Sequence, residues 1–184
     1  MSPTFAFGAS SGTRYAATTW RSHRAAATVP EGTELQLAAG LLERDGRILL
    51  VASRYPGRAE PLWNLPGGRR RQGELLEATL RREFAEEVGL EVSSRGLRYL
   101  SESFDRVGGV HVVAAIFEVE FVCELAPPTD PKIVARAWVA RAELGAQLAV
   151  RVVREPLLAN LAGDKRRYYA FAEAGISVAF ADEP

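Results

Sequence analysis

The chain has 184 residues, 47% of them hydrophobic and 25% charged, which suits one globular domain with a real core and excludes a disordered chain. Its 23 basic and 23 acidic side chains cancel, so no overall field draws in a nucleic acid polymer or an acidic membrane, and an anionic ligand must be held by a local site. No apolar run approaches the ~18 residues of a membrane span, and the single cysteine, Cys123, excludes an internal disulfide and a multi-cysteine zinc site. These traits fit a cytoplasmic protein of a reducing compartment.

Residues 1–30 contain no acidic side chain, while Arg14, Arg21 and Arg24 sit among Ser, Thr and Ala. Transit peptides and disordered tails share that make-up. The reading adopted is a flexible tail over residues 1–32, followed by one domain over residues 33–184. Within the domain, residues 34–42 read as a strand, Arg44-Asp45-Gly46 as a tight turn and residues 48–52 as a buried strand, together a hairpin. A loop with Pro56, Gly57 and Pro61 leads to Trp63-Asn64-Leu65 and then to Pro66-Gly67-Gly68.

Residues 74–88 read as one helix. Leu76, Leu80, Phe84 and Val88 recur at every fourth position and give one apolar stripe. Glu74 stands where the positive end of the helix dipole favours an anion, and Gly89 is placed as the C-terminal cap. Strands follow over residues 97–102, 110–123 and 134–140, the second with Phe117, Val119, Phe121 and Cys123 alternating against Glu118 and Glu120. The Cys123 thiol is expected to be buried. Residues 144–161 carry helical material interrupted at Pro156, and Arg166-Arg167-Tyr168-Tyr169 reads as a packed or exposed helix end. Mixed strands with few helices imply an α/β fold layered around one sheet.

The stretch RREFAEEVGL places Glu83, Glu86 and Glu87 close together behind Arg81 and Arg82. On a helix Glu83 and Glu87 project within ~40° of each other, and Glu86 lies ~60° from Glu83. Two carboxylates at the margin between core and solvent must hold a proton or recruit a cation. Mg²⁺ suits them, as a hard ion that takes carboxylate oxygens and keeps waters for substrate phosphates. Taken alone, however, this stretch reads as an ordinary solvated face with an Arg82–Glu86 pair.

The preceding residues overturn that reading. Gly68, five residues, Glu74, seven residues, then Arg82-Glu83-Phe84, Ala85, Glu86-Glu87, Val88, Gly89 and Leu90 form an unbroken pattern that resembles the signature box of the Nudix hydrolases. Chance alone fills all its defined positions on the order of once in ten million chains.

The resemblance implies a Nudix-type α/β/α sandwich around a mixed β-sheet. It implies an Mg²⁺-dependent pyrophosphohydrolase, with Mn²⁺ as a substitute ion, cleaving a diphosphate bond in a nucleoside diphosphate linked to another group. Glu83, Glu86, Glu87 and the Gly68 backbone would then serve the metal. Glu86 would also be the base that deprotonates water, Arg82 would orient the carboxylates, and Glu74 would brace the loop. On this view the metal and its diphosphate, not the protein, offset the carboxylate repulsion.

Several family members use a glutamate outside the box as base. The comparable region here, residues 130–138, carries Lys132 and Ala135 where acids often stand. That shifts the choice to Glu86, with Asp130 and Asp105 as weaker candidates. Arg54 and Arg58 are placed for substrate phosphates, against a plain reading as exposed loop arginines. Arg69, Arg70 and Arg71 read as a solvated loop, Trp63 and Trp138 as core, and His111 as structural. Subgroup signatures for ADP-ribose, diadenosine polyphosphate or coenzyme A substrates are not evident, which leaves a small nucleotide-type substrate and room for a homodimer. The alternative is a Nudix domain that senses a nucleotide without turning it over.

Overall fold

The computed structural model describes residues 32–55, 58–107 and 109–173; the tail read over residues 1–32 lies outside these except for Gly32. The predicted hairpin forms from β1 (Glu34–Arg44) and β2 (Arg47–Ser53). Asp45 and Gly46 both take positive φ, 50° and 72°, as the two-residue turn of a twisted hairpin requires. β1 meets β2 only at its end, where Glu43 faces Ile48 and Arg44 faces Arg47. Its longer partners are β6 (His111–Glu124), parallel, and β4 (Gly67–Arg69), antiparallel.

With β3 (Leu62–Asn64), β5 (Leu90–Asp105), β7 (Ile133–Ala140) and β8 (Tyr168–Glu173), these strands make one mixed sheet. Its order is β3-β2-β1-β6-β5-β8, with β4 on β1 and β7 on β2. β5 begins at Leu90, earlier than the residues 97–102 expected, because it pairs with β6 from Leu90↔Glu124 to Phe104↔His111. The sequence Tyr168-Tyr169 is not a helix end. It opens β8, which runs parallel to β5 from Leu100↔Tyr168.

Helices cover both faces, giving the α/β/α layering. On one, α1 (Leu76–Glu83) and a π-helical turn (Phe84–Val88) bury Leu80, Phe84 and Val88 against Ala38, Leu49, Val51, Ala115 and Phe117. On the other, the short α2 (Leu144–Gln147) and α3 (Arg151–Leu161) bury Leu144, Leu148 and Leu157 against Leu41, Ile48, Leu50 and Tyr99. The apolar stripe of residues 76–88 is therefore real, but the segment is not one α-helix starting at Glu74. Leu75 is extended, and Glu74 lies outside the helix.

Three further expectations are corrected. The helical material of residues 144–161 breaks before Arg151, not at Pro156, which sits inside α3. Proline leaves the carbonyl four residues back without its helical donor; that carbonyl, of Val152, accepts the Ser101 hydroxyl at 3.0 Å in the buried layer. Cys123 is exposed, beside Glu91, because the end of β6 runs out past the helix that covers its middle: Phe121 and Val122 are exposed as well. Trp138 is exposed on β7, whose one strand partner among the described residues is β2, whereas Trp63 is half-buried against the second core cluster.

Candidate active site

α1 and the π turn carry the acidic residues, and β4 supplies the backbone against which they lie. The side chain of Glu87 turns to β4, where the Gly67 N–H donates to its Oε2 at 2.8 Å. Glu83 lies over the next residue, so that a Cβ added to Gly68 would sit 2.6 Å from Glu83 Oε1. Only a residue without a side chain lets the carboxylate approach so closely. Both glutamates are buried, at 8% and 6% exposure, which is rare for this residue type. The Gly67-Gly68 strand thus forms one wall of a carboxylate-lined site.

Arg82 is the hub of the arrangement. Its Nε and Nη2 donate to the two oxygens of Glu74 at 2.8 and 3.1 Å, and Nη2 also donates to the Arg69 carbonyl at 2.9 Å. Its Nη1 reaches Glu83 Oε1 at 2.7 Å and Glu86 Oε2 at 3.0 Å. Glu74 also accepts from the Arg71 backbone N–H and from the hydroxyl of Thr79, which ties the loop over residues 69–75 to the first turn of α1. These bonds, and not the helix dipole, hold Glu74: the Arg82 contact above all brings its carboxyl down to about 2. The same pairing raises the Arg82 guanidinium above its usual range.

The carboxylate repulsion is not left wholly to a ligand, contrary to expectation. Arg82 meets Glu83 and Glu86, and Arg71 adds contacts to both Glu86 oxygens at 3.2 and 3.3 Å. A long, flexible arginine at the loop reaches back onto the helix because the turn at Gly73 folds residues 69–75 over it. Among the described residues no arginine is bonded to Glu87. Burial pushes its carboxyl up to about 8; the Gly67 N–H opposes this, while Glu83, Asp130 and Glu86 add to it. Burial likewise raises Glu83, with Arg82 working in the other direction.

The donor set fits a hard divalent cation: three carboxylates, two of them buried, beside backbone that a Cβ would obstruct. Among the described residues no three acidic, histidine or cysteine side chains stand together closely enough to hold a metal ion as they are placed here. An open carboxylate face of this kind suits an ion that retains water and substrate oxygens rather than one enclosed by protein.

Arg54 and Arg58 are exposed on the loop after β2, and Arg54 uses its backbone N–H to bond the Lys132 carbonyl at 2.9 Å. Asp130 does come close: its backbone N–H and that of Thr129 donate to the Glu86 carbonyl at 3.0 and 2.8 Å. Asp105 is buried at the far end of β5, capping the Val107 N–H. His111 pairs with Glu102 at 2.5 Å, and Tyr168 donates to the same carboxylate, a structural link between β5, β6 and β8. Sequence reading missed Thr79 and Arg136, whose Nη1 donates to the Val88 carbonyl at 2.6 Å. Thr79 left a faint signal as a hydroxyl beside the apolar stripe; Arg136 left none, because its partner is distant in sequence.

The family comparison decides the identity: the NUDIX domain model matches residues 34–161, from the first residue of β1 to the last of α3. The chain belongs to the NUDIX family. A relative from Mycobacterium tuberculosis, named "Putative 8-oxo-dGTP diphosphatase 2", is 38% identical over 72 residues. That match spans 39% of this chain and about half, 47%, of the relative. The NUDIX fold recurs in a NUDIX hydrolase from Nitrosomonas europaea (TM-score 0.64, 22% identity, 73% of this chain and 93% of that one). It recurs also in a MutT NUDIX hydrolase from Burkholderia pseudomallei (TM-score 0.52, 29% identity, 60% and 85%). Among the described residues no helix is long and apolar enough to cross a membrane.

Proposed function

We propose that this NUDIX protein is a pyrophosphohydrolase, dependent on Mg²⁺ or Mn²⁺, acting on a small nucleotide or nucleotide conjugate in the cytoplasm. One observation carries the reading: Glu83 and Glu87 are both buried against the two glycines of β4, and among the described residues no arginine or lysine is bonded to Glu87. A buried carboxylate left so is costly unless the site is completed by a positive ligand.

Glu83, Glu86 and Glu87, with the Gly68 backbone, hold the metal. Once bound it offsets phosphate charge, lowers the pKa of coordinated water and aligns the attack. Arg82 keeps the carboxylates in register through its bonds to Glu74, Glu83 and Glu86. Water adds at one phosphorus, the bridging P–O bond breaks, and Glu86 takes the proton while the second phosphate leaves with the bridging oxygen. Arg54 and Arg58 supply positive charge at the substrate's phosphates.

A nucleotide-sensing domain is the second reading, favoured by Arg82 and Arg71, which already meet two of the box carboxylates. The deciding experiment is phosphate release from nucleoside di- and triphosphates, sugar nucleotides and dinucleotides, with wild type, Glu86→Gln and Glu87→Gln. The hydrolase reading expects turnover by wild type and its loss in Glu87→Gln. Tight nucleotide binding without turnover under any divalent ion establishes the sensor instead.

A further inference from the structure

We propose that Arg136, outside the signature box, is a positioning residue that sets the direction of Glu86 and Glu87. The inference rests on the hydrolase reading above and extends it to a part of the chain that reading does not use.

The box helix does not end as a plain α-helix. Its last turn, Phe84–Val88, is π-helical, and Gly89 closes it in the left-handed region with its N–H on the Phe84 and Ala85 carbonyls. A π turn inside a helix is uncommon and is kept only where neighbours satisfy the displaced backbone. Here partners for that backbone come from residues 125–136. The Leu125 N–H donates to the Gly89 carbonyl at 2.8 Å, and Thr129 and Asp130 donate to that of Glu86. The Val88 carbonyl takes the Arg136 guanidinium at 2.6 Å, a charged side-chain donor on the backbone of this turn.

That bond differs from the other three in two ways. It carries a full charge to the helix end where carbonyl dipoles gather negative potential, so it is stronger than a neutral bond. It also comes from β7, at the position opposite Val51 of β2. The sheet edge is thereby tied to the residue directly after Glu86-Glu87. Val88 is buried and its bond to Arg136 is partly shielded from solvent, so loss of the guanidinium removes the charged partner of that carbonyl. The turn is then free to relax towards α-helical bonding, which rotates Glu86 and Glu87 about the axis.

The test uses the full chain as wild type, Arg136→Ala, Arg136→Gln and Arg136→Lys. Mn²⁺ affinity is read by electron paramagnetic resonance without substrate, kcat and KM on the best substrate of the panel, and folding by circular dichroism and melting. In Arg136→Ala, Mn²⁺ affinity and kcat each fall about tenfold, the usual effect of removing a residue that orients metal-binding groups, while KM changes little. Lysine restores part of both, glutamine almost none, and added guanidinium ion at sub-denaturing concentration rescues Arg136→Ala but not Glu87→Gln. Wild-type Mn²⁺ affinity and kcat in Arg136→Ala would overturn the inference and leave the hydrolase reading intact. Equal loss in the alanine and lysine variants without guanidinium rescue, matched by a lower melting point, would also overturn it in favour of a purely structural tie. A wild type that neither binds Mn²⁺ nor hydrolyses any substrate removes the hydrolase reading and this inference with it.

Discussion

Arg82 grips Glu74 through two nitrogens, at 2.8 and 3.1 Å, across the whole first stretch of the signature box. The pair joins the loop to the helix, and the remaining guanidinium nitrogen is thereby aimed at Glu83 and Glu86. Lysine has a point charge and no fork, so it cannot serve these acceptors together. Arg82→Ala is expected to lose roughly 2–4 kcal/mol of stability in urea unfolding, since it strands partly buried carboxylates. Arg82→Lys should recover less than half of that and little of the hydrolysis. Full recovery by lysine would show that charge alone matters.

The depressed Glu74 carboxyl, at about 2, predicts a pH window. Its folded-state value lies below its unfolded one, so its contribution is present above the unfolded value near 4.5 and lost as pH falls through about 2. The urea midpoints of wild type and Glu74→Gln should differ by a constant amount above pH ~5 and converge near pH ~2. A gap that persists unchanged at the acid end removes the ion pair as its source.

How much of this was open to a reader of the sequence depended on the range of the interaction. The box and its stripe were legible because they are local: Leu80, Phe84 and Val88 face one way at helical spacing, and the core cluster they enter confirms it. The π turn was not, since it is held by residues 125–136. Pro156 was misread as a break because the donor that replaces its missing bond, Ser101, lies on β5, far away in sequence. Cys123 was read from strand alternation and Trp138 as a strand aromatic that packs, yet both lie exposed, because a strand position tells which side a residue faces and not whether anything covers that side.

Glu87 gives the opposite pH dependence. Burial raises its carboxyl to about 8, so the folded chain binds this proton more tightly than the unfolded one. Its contribution is full below the ordinary value of 4.5 and is lost as pH rises through about 8. Glu87→Gln keeps the shape and an acceptor for the Gly67 N–H but removes the charge. In chelator at pH ~8 the variant should therefore melt higher than wild type, and the difference should shrink towards pH ~5. Adding Mg²⁺ should stabilise wild type and leave Glu87→Gln nearly unmoved. A variant that melts lower than wild type at every pH would mean that this carboxylate is not strained by burial.

Two adjacent glycines separate fold from function. A Cβ on Gly67 would lie 2.3 Å from the Ala38 carbonyl oxygen, and its φ of 150° suits no other residue. Backbone cannot yield there, so Gly67→Ala is expected to unpair β4 from β1 and lower the melting point sharply. A Cβ on Gly68 meets the Glu83 carboxylate instead, at 2.6 Å, and that is the free end of a flexible side chain. Gly68→Ala should fold and melt close to wild type while Glu83 is pushed off its place. Mn²⁺ binding and hydrolysis should then fall at least tenfold, on the scale of losing a well-placed metal-site partner. Melting curves beside Mn²⁺ titrations separate the two cases, and a Gly68→Ala variant that binds Mn²⁺ as tightly as wild type would exclude Glu83 from the metal site.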